Sequence, residues 1–281
     1  MKTNCDDGKT IFPGPFPIKG GPDRSASSRS GPPFRKLCMT VVISIMVFLI
    51  LTLSTVLASP FQMPEKFVYD LTWGGIQAGT ASLELRNDGG RIRIISTAQS
   101  AKWISVFYTV DDRVESILSQ DPYRSSVGLP VSYRLKLREG KHRKDKEVMF
   151  DHEKNRAKYV DHLEKEYKEI DVPALVFDPI SSFFYLRTRR LVVGEPVYIT
   201  MFDSKKVYNV EVQVLRREKV TIPEGTFDTI VVKPLMKSEG IFYRKGEIFI
   251  WLTDDAKHIP VKMQTKIPVG HITATLVQGV Y

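Results

Sequence analysis

Five histidines, His142, His152, His162, His258 and His271, are the side chains of this sequence best placed to move a proton or hold a metal near neutral pH. No two stand three or four residues apart, the spacing that sets both imidazoles on one helical face. The first three fall in charged, turn-rich stretches, where an exposed histidine is the simpler reading. Adjacent carboxylates occur twice, at Asp111-Asp112 and Asp254-Asp255. On a strand, neighbouring side chains point to opposite faces, so neither pair offers two carboxylates to one site. A hydrolytic site would need Asp112 or Asp254 to meet Arg187 or His258 across long stretches of chain. There is no Gly-x-Ser-x-Gly elbow, and Gly74–Gly79 lacks the Gly-Lys-Ser/Thr ending of a phosphate loop. The chain therefore reads as non-enzymatic, with no catalytic residue, no metal site and no cofactor expected.

Cysteine use points the same way. Cys5 and Cys38 are the two cysteines of the 281 residues, and everything after residue 58 has none. That excludes a disulfide scaffold, a thiolate zinc site and a cysteine nucleophile from the part that folds. Net charge is +9. Residues 1–58 carry seven Lys/Arg and three Asp/Glu, leaving 34 and 29 beyond them, with both signs interspersed. Attraction to anionic lipid or an envelope polymer fits that balance, whereas nucleic-acid binding has no supporting motif.

The elements that would position a site begin after an unusual leader. Residues 1–36, rich in Gly, Pro, Ser and basic residues, are too polar to bury a core and are expected to be disordered. Residues 37–58 then run without a charge, long enough to span a bilayer as a helix, directly after Arg35-Lys36. Positive charge stays on the cytoplasmic side, so the remainder is expected outside, in the cell envelope or periplasm. Val56-Leu57-Ala58 has the small and branched residues of a signal-peptidase site. The segment is thus either a signal peptide cleaved after Ala58 or an uncleaved anchor.

From residue 65 the pattern turns to period two. Phe67, Tyr69, Leu71 and Trp73 alternate with polar neighbours, as do Val131, Tyr133, Leu135 and Leu137. Gly74-Gly75, Asp88-Gly89-Gly90 and Glu139-Gly140 supply the turns. Roughly a dozen strands can be read this way, with no long stretch of helical amphipathicity. Two short helices are expected, one near Ala101–Val106. The other follows Asp178-Pro179, an N-cap with proline in the first turn, and covers Ile180–Arg187. The fold class expected for 65–281 is all-β, a single strongly curved antiparallel sheet, open barrel or sandwich-like. The dense apolar helix should lie against one face or open end of it.

Trp73, Trp103, Phe107, Phe183, Phe184 and Trp251 either fill an ordinary core or line a cavity where an acyl chain sits between sheet and helix. The two readings predict different things. A lipid binder needs that cavity, and a structural or protein-binding module needs an exposed apolar patch or sheet edge instead.

Several stretches in order resemble one exported bacterial family, the domain of unknown function 3108. They are the run from Phe67 to Gly79, Phe107-Tyr-Thr-Val-Asp-Asp112, the run from Asp178 to Arg187, Val220 to Phe227, and Trp251 to Val261. The resemblance implies a bacterial source, an envelope location and a β-rich fold. It supplies no reaction and no ligand.

Overall fold

A computed structural model describes residues 61–119, 125–203, 205–235 and 247–281. The leader 1–36 and the apolar run 37–58 lie outside the described residues. Among those described, no helix is long and apolar enough to cross a membrane.

The first half of the sheet comprises β1 (Glu65–Trp73), β2 (Ile76–Asp88), β3 (Arg91–Ser100) and β4 (Asp111–Ser119). It continues with β5 (Leu129–Glu139), β6 (His142–Asp151), β7 (Arg156–Asp161) and β8 (Glu166–Asp171). The second half comprises β9 (Val197–Asp203), β10 (Lys206–Ile222) and β11 (Gly225–Leu235). It ends with β12 (Ile248–Thr253), β13 (Pro260–Lys266) and β14 (His271–Val280). Two short helices complete the described chain, α1 (Lys102–Ser105) and α2 (Pro179–Arg187). The all-β reading with two short helices therefore holds.

All 14 strands belong to one antiparallel sheet, ordered β8-β7-β6-β5-β4-β3-β2-β1-β14-β13-β12-β11-β10-β9. Each half is a plain meander. The two are joined by β1 against β14, with Lys66 opposite Val280 and Trp73 opposite Ile272. The sheet is not closed, and its free edges belong to β8 and β9, which are consecutive in sequence. Both edges are managed. Strand β8 reads EYKEID with no buried residue, and its charges deter pairing with another chain. Strand β9 is covered by a parallel bridge between Phe177 and Met201 and by α2 behind it.

The curl brings the two edges toward each other. Phe202 on β9 meets Phe150 on β6 edge to face, with ring centroids 5.9 Å apart. Lys205, just past β9, reaches Glu166 on β8 at 2.8 Å. The core is built in three apolar clusters. The first draws on β1 to β4 and β12 to β14, and includes Phe67, Tyr69, Leu85, Ile94, Phe184 and Trp251. The second gathers β9 to β12 around Met201, Ile230, Val232 and Leu252. The third gathers β5 to β7 around Tyr133, Leu135, Phe150 and Tyr159. Strands β11 and β12 bury both faces. Ile230, Val232, Ile250 and Leu252 belong to the second cluster, while Val231 and Trp251 belong to the first. Their near-continuous apolar runs are what a doubly buried strand requires.

Candidate functional site

Two places stand apart from ordinary sheet packing: the seam occupied by α2, and the end of the sheet opposite it.

Asp178 caps α2. Its Oδ1 accepts from the Ile180 and Ser181 amides at 2.9 Å each, and the Ser181 hydroxyl accepts from the Asp178 amide at 3.0 Å. Pro179 at the first helical position needs no hydrogen-bond donor there. The other oxygen, Oδ2, accepts from the Ser116 hydroxyl of β4 at 2.6 Å. Burial pushes the Asp178 carboxyl up, and the bonds from Ser116, Ser181 and Ile180 pull it back. Nearby, Tyr133 is buried with its hydroxyl unbonded among the described residues. Burial pushes that phenol well up, and the neighbouring Asp203 and Asp178 charges add to the effect.

The helix is fixed at its other end by Arg187. The guanidinium donates to both Glu65 oxygens at 2.7 and 2.8 Å. It also donates to the carbonyls of His258 at 3.0 Å and Lys257 at 3.1 Å. Phe61, Phe67 and Phe184 surround it, with ring centroids 4.8, 5.4 and 5.1 Å away. A buried guanidinium survives only with its donors satisfied, and here four acceptors and three ring faces do so. Between these fixed ends α2 reaches all three clusters. Phe184 belongs to the first and Leu186 to the second, while Ile180 packs against the first and third.

The proposed hydrolytic partners do not converge. Asp112 Oδ1 accepts from the Arg138 amide at 3.0 Å, at the far end of β4 from α2. Asp254 pairs with Arg217 at 2.6 Å. Asp255 Oδ1 accepts from the Lys257 and His258 amides, which makes the turn that aims the His258 carbonyl at Arg187. His258 Nδ1 lies 2.8 Å from the Arg187 carbonyl oxygen. Arg187 and His258 therefore meet, in a structural contact. Among the described residues no group of three or more His, Cys, Asp or Glu side chains could hold a metal.

The six aromatic candidates divide. Phe184 and Trp251 are in the first cluster, and Phe183 packs against it and against the second. The Trp251 indole donates to Glu218, and the Lys262 ammonium lies 4.6 Å from its ring. Trp73, Trp103 and Phe107 are elsewhere, 40%, 44% and 85% exposed. Alternation along β1 had placed Trp73 inside, but a register shift after Leu71 breaks the pattern at the strand end. Trp103 and Phe107 lie on and just after α1, which buries no residue.

These three residues share one end of the sheet. In an antiparallel meander alternate connections lie together, so the β1–β2, β3–β4, β5–β6 and β13–β14 connections cluster, away from α2. Ile76 at 62%, Val106 at 77%, Tyr108 at 50% and Val269 at 70% exposure join them. The connections are tied to one another. Trp73 Nε1 donates to the Val269 carbonyl at 2.9 Å, and Trp103 Nε1 to the Gln77 carbonyl at 3.0 Å. The Ala101 amide donates to the Ala78 carbonyl at 2.8 Å, and the Gly140 amide to the Thr109 carbonyl at 2.8 Å. The Tyr108 ring packs on Gly140 so closely that a Cβ there would lie 2.6 Å from it. An exposed apolar rim held in place this way was invisible to periodicity, because its residues lie at strand ends, on a four-residue helix and in the connections beside them.

Residues 68–277 match the family described as Protein of unknown function (DUF3108). The chain belongs to that family. No curated protein matches it. Among solved structures, it is similar to a beta-barrel-like protein of domain of unknown function DUF1849 from Brucella abortus. That likeness has 13% identity and a TM-score of 0.49, covering 77% of this chain and 96% of the other. A second likeness is to a putative exported protein with a YmcC-like fold from Bacteroides fragilis, at 10% identity and a TM-score of 0.31. It covers 79% of this chain and 98% of that one. At these scores neither adds to the topology described above. For this DUF3108 domain the sheet order and the two sites rest on its own geometry.

Proposed function

We propose that this domain is a non-enzymatic binding module of the cell envelope, with the aromatic rim opposite α2 as its working surface. The observation that carries the reading is the grouping of Trp73, Ile76, Trp103, Val106, Phe107 and Val269, all exposed and tied together at one end. A large exposed apolar patch costs solubility and persists where something covers it. The charge-free run 37–58 after Arg35-Lys36 supports delivery across a membrane. Placement of a ligand under α2 is less favoured. That space is taken by Phe177, Phe184 and Leu186, and the helix is fixed at both ends by buried polar contacts.

A photoreactive amino acid at position 107, in cells, tests the reading. Crosslinks from 107 to an envelope component, lipid or protein, should exceed those from an equivalent probe at Val280, an exposed residue at the opposite end of the sheet, across from Lys66. Equal yields at both positions would remove the rim as the working surface.

A further inference from the structure

The connections that form the rim carry an excess of cations. Residues 101–111, 139–144 and 266–271 carry Lys102, Lys141, Arg143, Lys144 and Lys266 against Asp111 and Glu139. Lys102, Lys141, Arg143 and Lys266 are exposed, as are His142 and His271. The β1–β2 connection, with Trp73 and Ile76, carries no charge at all between residues 73 and 77. The order is therefore an apolar tip flanked by cations.

We propose that this end of the domain docks on the surface of an anionic lipid bilayer, a deepening that rests on the rim being the working surface. Each part of the arrangement matches a part of such a surface. Phe107, Val106, Ile76 and Val269 enter the acyl boundary. Trp73 and Trp103 occupy the interface, where an indole with its apolar face down and its N–H bonded is favoured. Their N–H groups already donate to the Val269 and Gln77 carbonyls, so moving the rings into lipid leaves no donor unpaired. Lys102, Lys141, Arg143 and Lys266 meet the phosphates, with their field decaying over about 8 Å at physiological salt. A protein partner of the same patch would need a matched acidic rim; a bilayer presents that charge along its whole surface.

The three tryptophans of the chain supply a readout that the run 37–58 cannot mimic, because all three lie in the folded domain and Trp251 is buried. The full chain is mixed with vesicles of acyl-chain-brominated phosphatidylcholine, with and without phosphatidylglycerol, and its tryptophan emission is followed. The expected result is quenching that needs phosphatidylglycerol, weakens with added salt, and disappears in Trp73→Phe/Trp103→Phe. Lys102→Glu/Lys141→Glu/Arg143→Glu retains every tryptophan and should lose most of the quenching, with circular dichroism confirming that it folds. Emission unchanged by brominated lipid overturns the proposal. So does quenching that survives removal of both rim tryptophans, or that is equal in neutral vesicles. Crosslinks from position 107 to protein, with no lipid quenching, would leave the rim as working surface and remove the bilayer as its partner.

Discussion

Arg187 and Glu65, 122 residues apart in sequence, form a two-pronged ion pair from which solvent is shut out. Glu65 opens β1 and Arg187 closes α2, so this contact fixes the helix to the strand that joins the two meanders. Removing one partner leaves a charge buried and uncompensated. Glu65→Gln or Arg187→Met alone should cost about 3–5 kcal/mol in urea unfolding. The double replacement Glu65→Leu/Arg187→Met should recover most of that, since a buried pair is often no better than packed apolar residues. A cost below about 1 kcal/mol for the single variants would show that the pair does not hold the helix.

Asp178 carries the opposite end of α2, and its carboxyl is raised above 3.8 by burial. A raised carboxyl favours its neutral form in the folded state. Its contribution to stability is therefore greatest below the ordinary value and declines as pH rises through the raised one. Asp178→Asn keeps the cap acceptor and has no charge to bury. Its melting temperature relative to the parent should climb as pH rises above 3.8. Asp178→Ala, losing both the cap and the acceptor for Ser116, should cost about 1–3 kcal/mol.

Glu166 titrates with the opposite sign. Hydrogen bonds from Lys205 and Lys168 lower it from 4.5 to about 2. A depressed carboxylate contributes above its ordinary value, and the contribution is lost as pH falls toward the lowered one. Because the pair is on the surface, salt screens it as well. Hydrogen exchange should show β8 amides opening faster as pH drops from about 4.5 to about 2, after correction for the intrinsic rate. Lys205→Ala should show that faster opening already at neutral pH.

Phe107 tests whether the rim is separate from the core. At 85% exposure it has little to lose, so Phe107→Ala should shift unfolding by no more than about 0.5 kcal/mol. Phe184→Ala, fully buried among the first cluster, should cost about 3–5 kcal/mol in the same measurement. Similar losses for both would mean that Phe107 packs as a core residue.

Strands with a buried face were legible in the sequence wherever apolar and polar residues alternate cleanly, as in β1, β5 and β14. Two strands carry no such pattern. Strand β4 buries Asp112 and Ser116 on its inner face, so polar residues stand where the pattern asks for apolar ones. Strand β8 buries nothing, and an edge strand without a core face has no alternation to show. Strand β10 loses its alternation part-way, because a bulge between Val214 and Arg216 changes which side chains face inward. The apolar helix after Asp178-Pro179 was legible from its cap, but not its role: nothing near Glu65 in sequence announces that it pairs with Arg187. Trp73, Trp103 and Phe107 are expected inside from their ring type, since composition alone does not distinguish an aromatic at a strand end or connection from a core one.

The join between β1 and β14 has a topological consequence. Started at β9, run through β14, and carried on through β1 to β8, the sheet would be a single uninterrupted ladder with every strand beside its sequence neighbours. The natural chain is a circular permutant of that ladder, with its cut inside the sheet. The one covalent thread across the gap is residues 172–196, which hold α2. Severing that thread and linking the ends of β14 and β1, already side by side at Lys66 and Val280, would leave all thirteen strand pairings intact. The seam helix would then hang from one edge alone, held to the sheet by Asp178 and Arg187 instead of by the backbone on both sides.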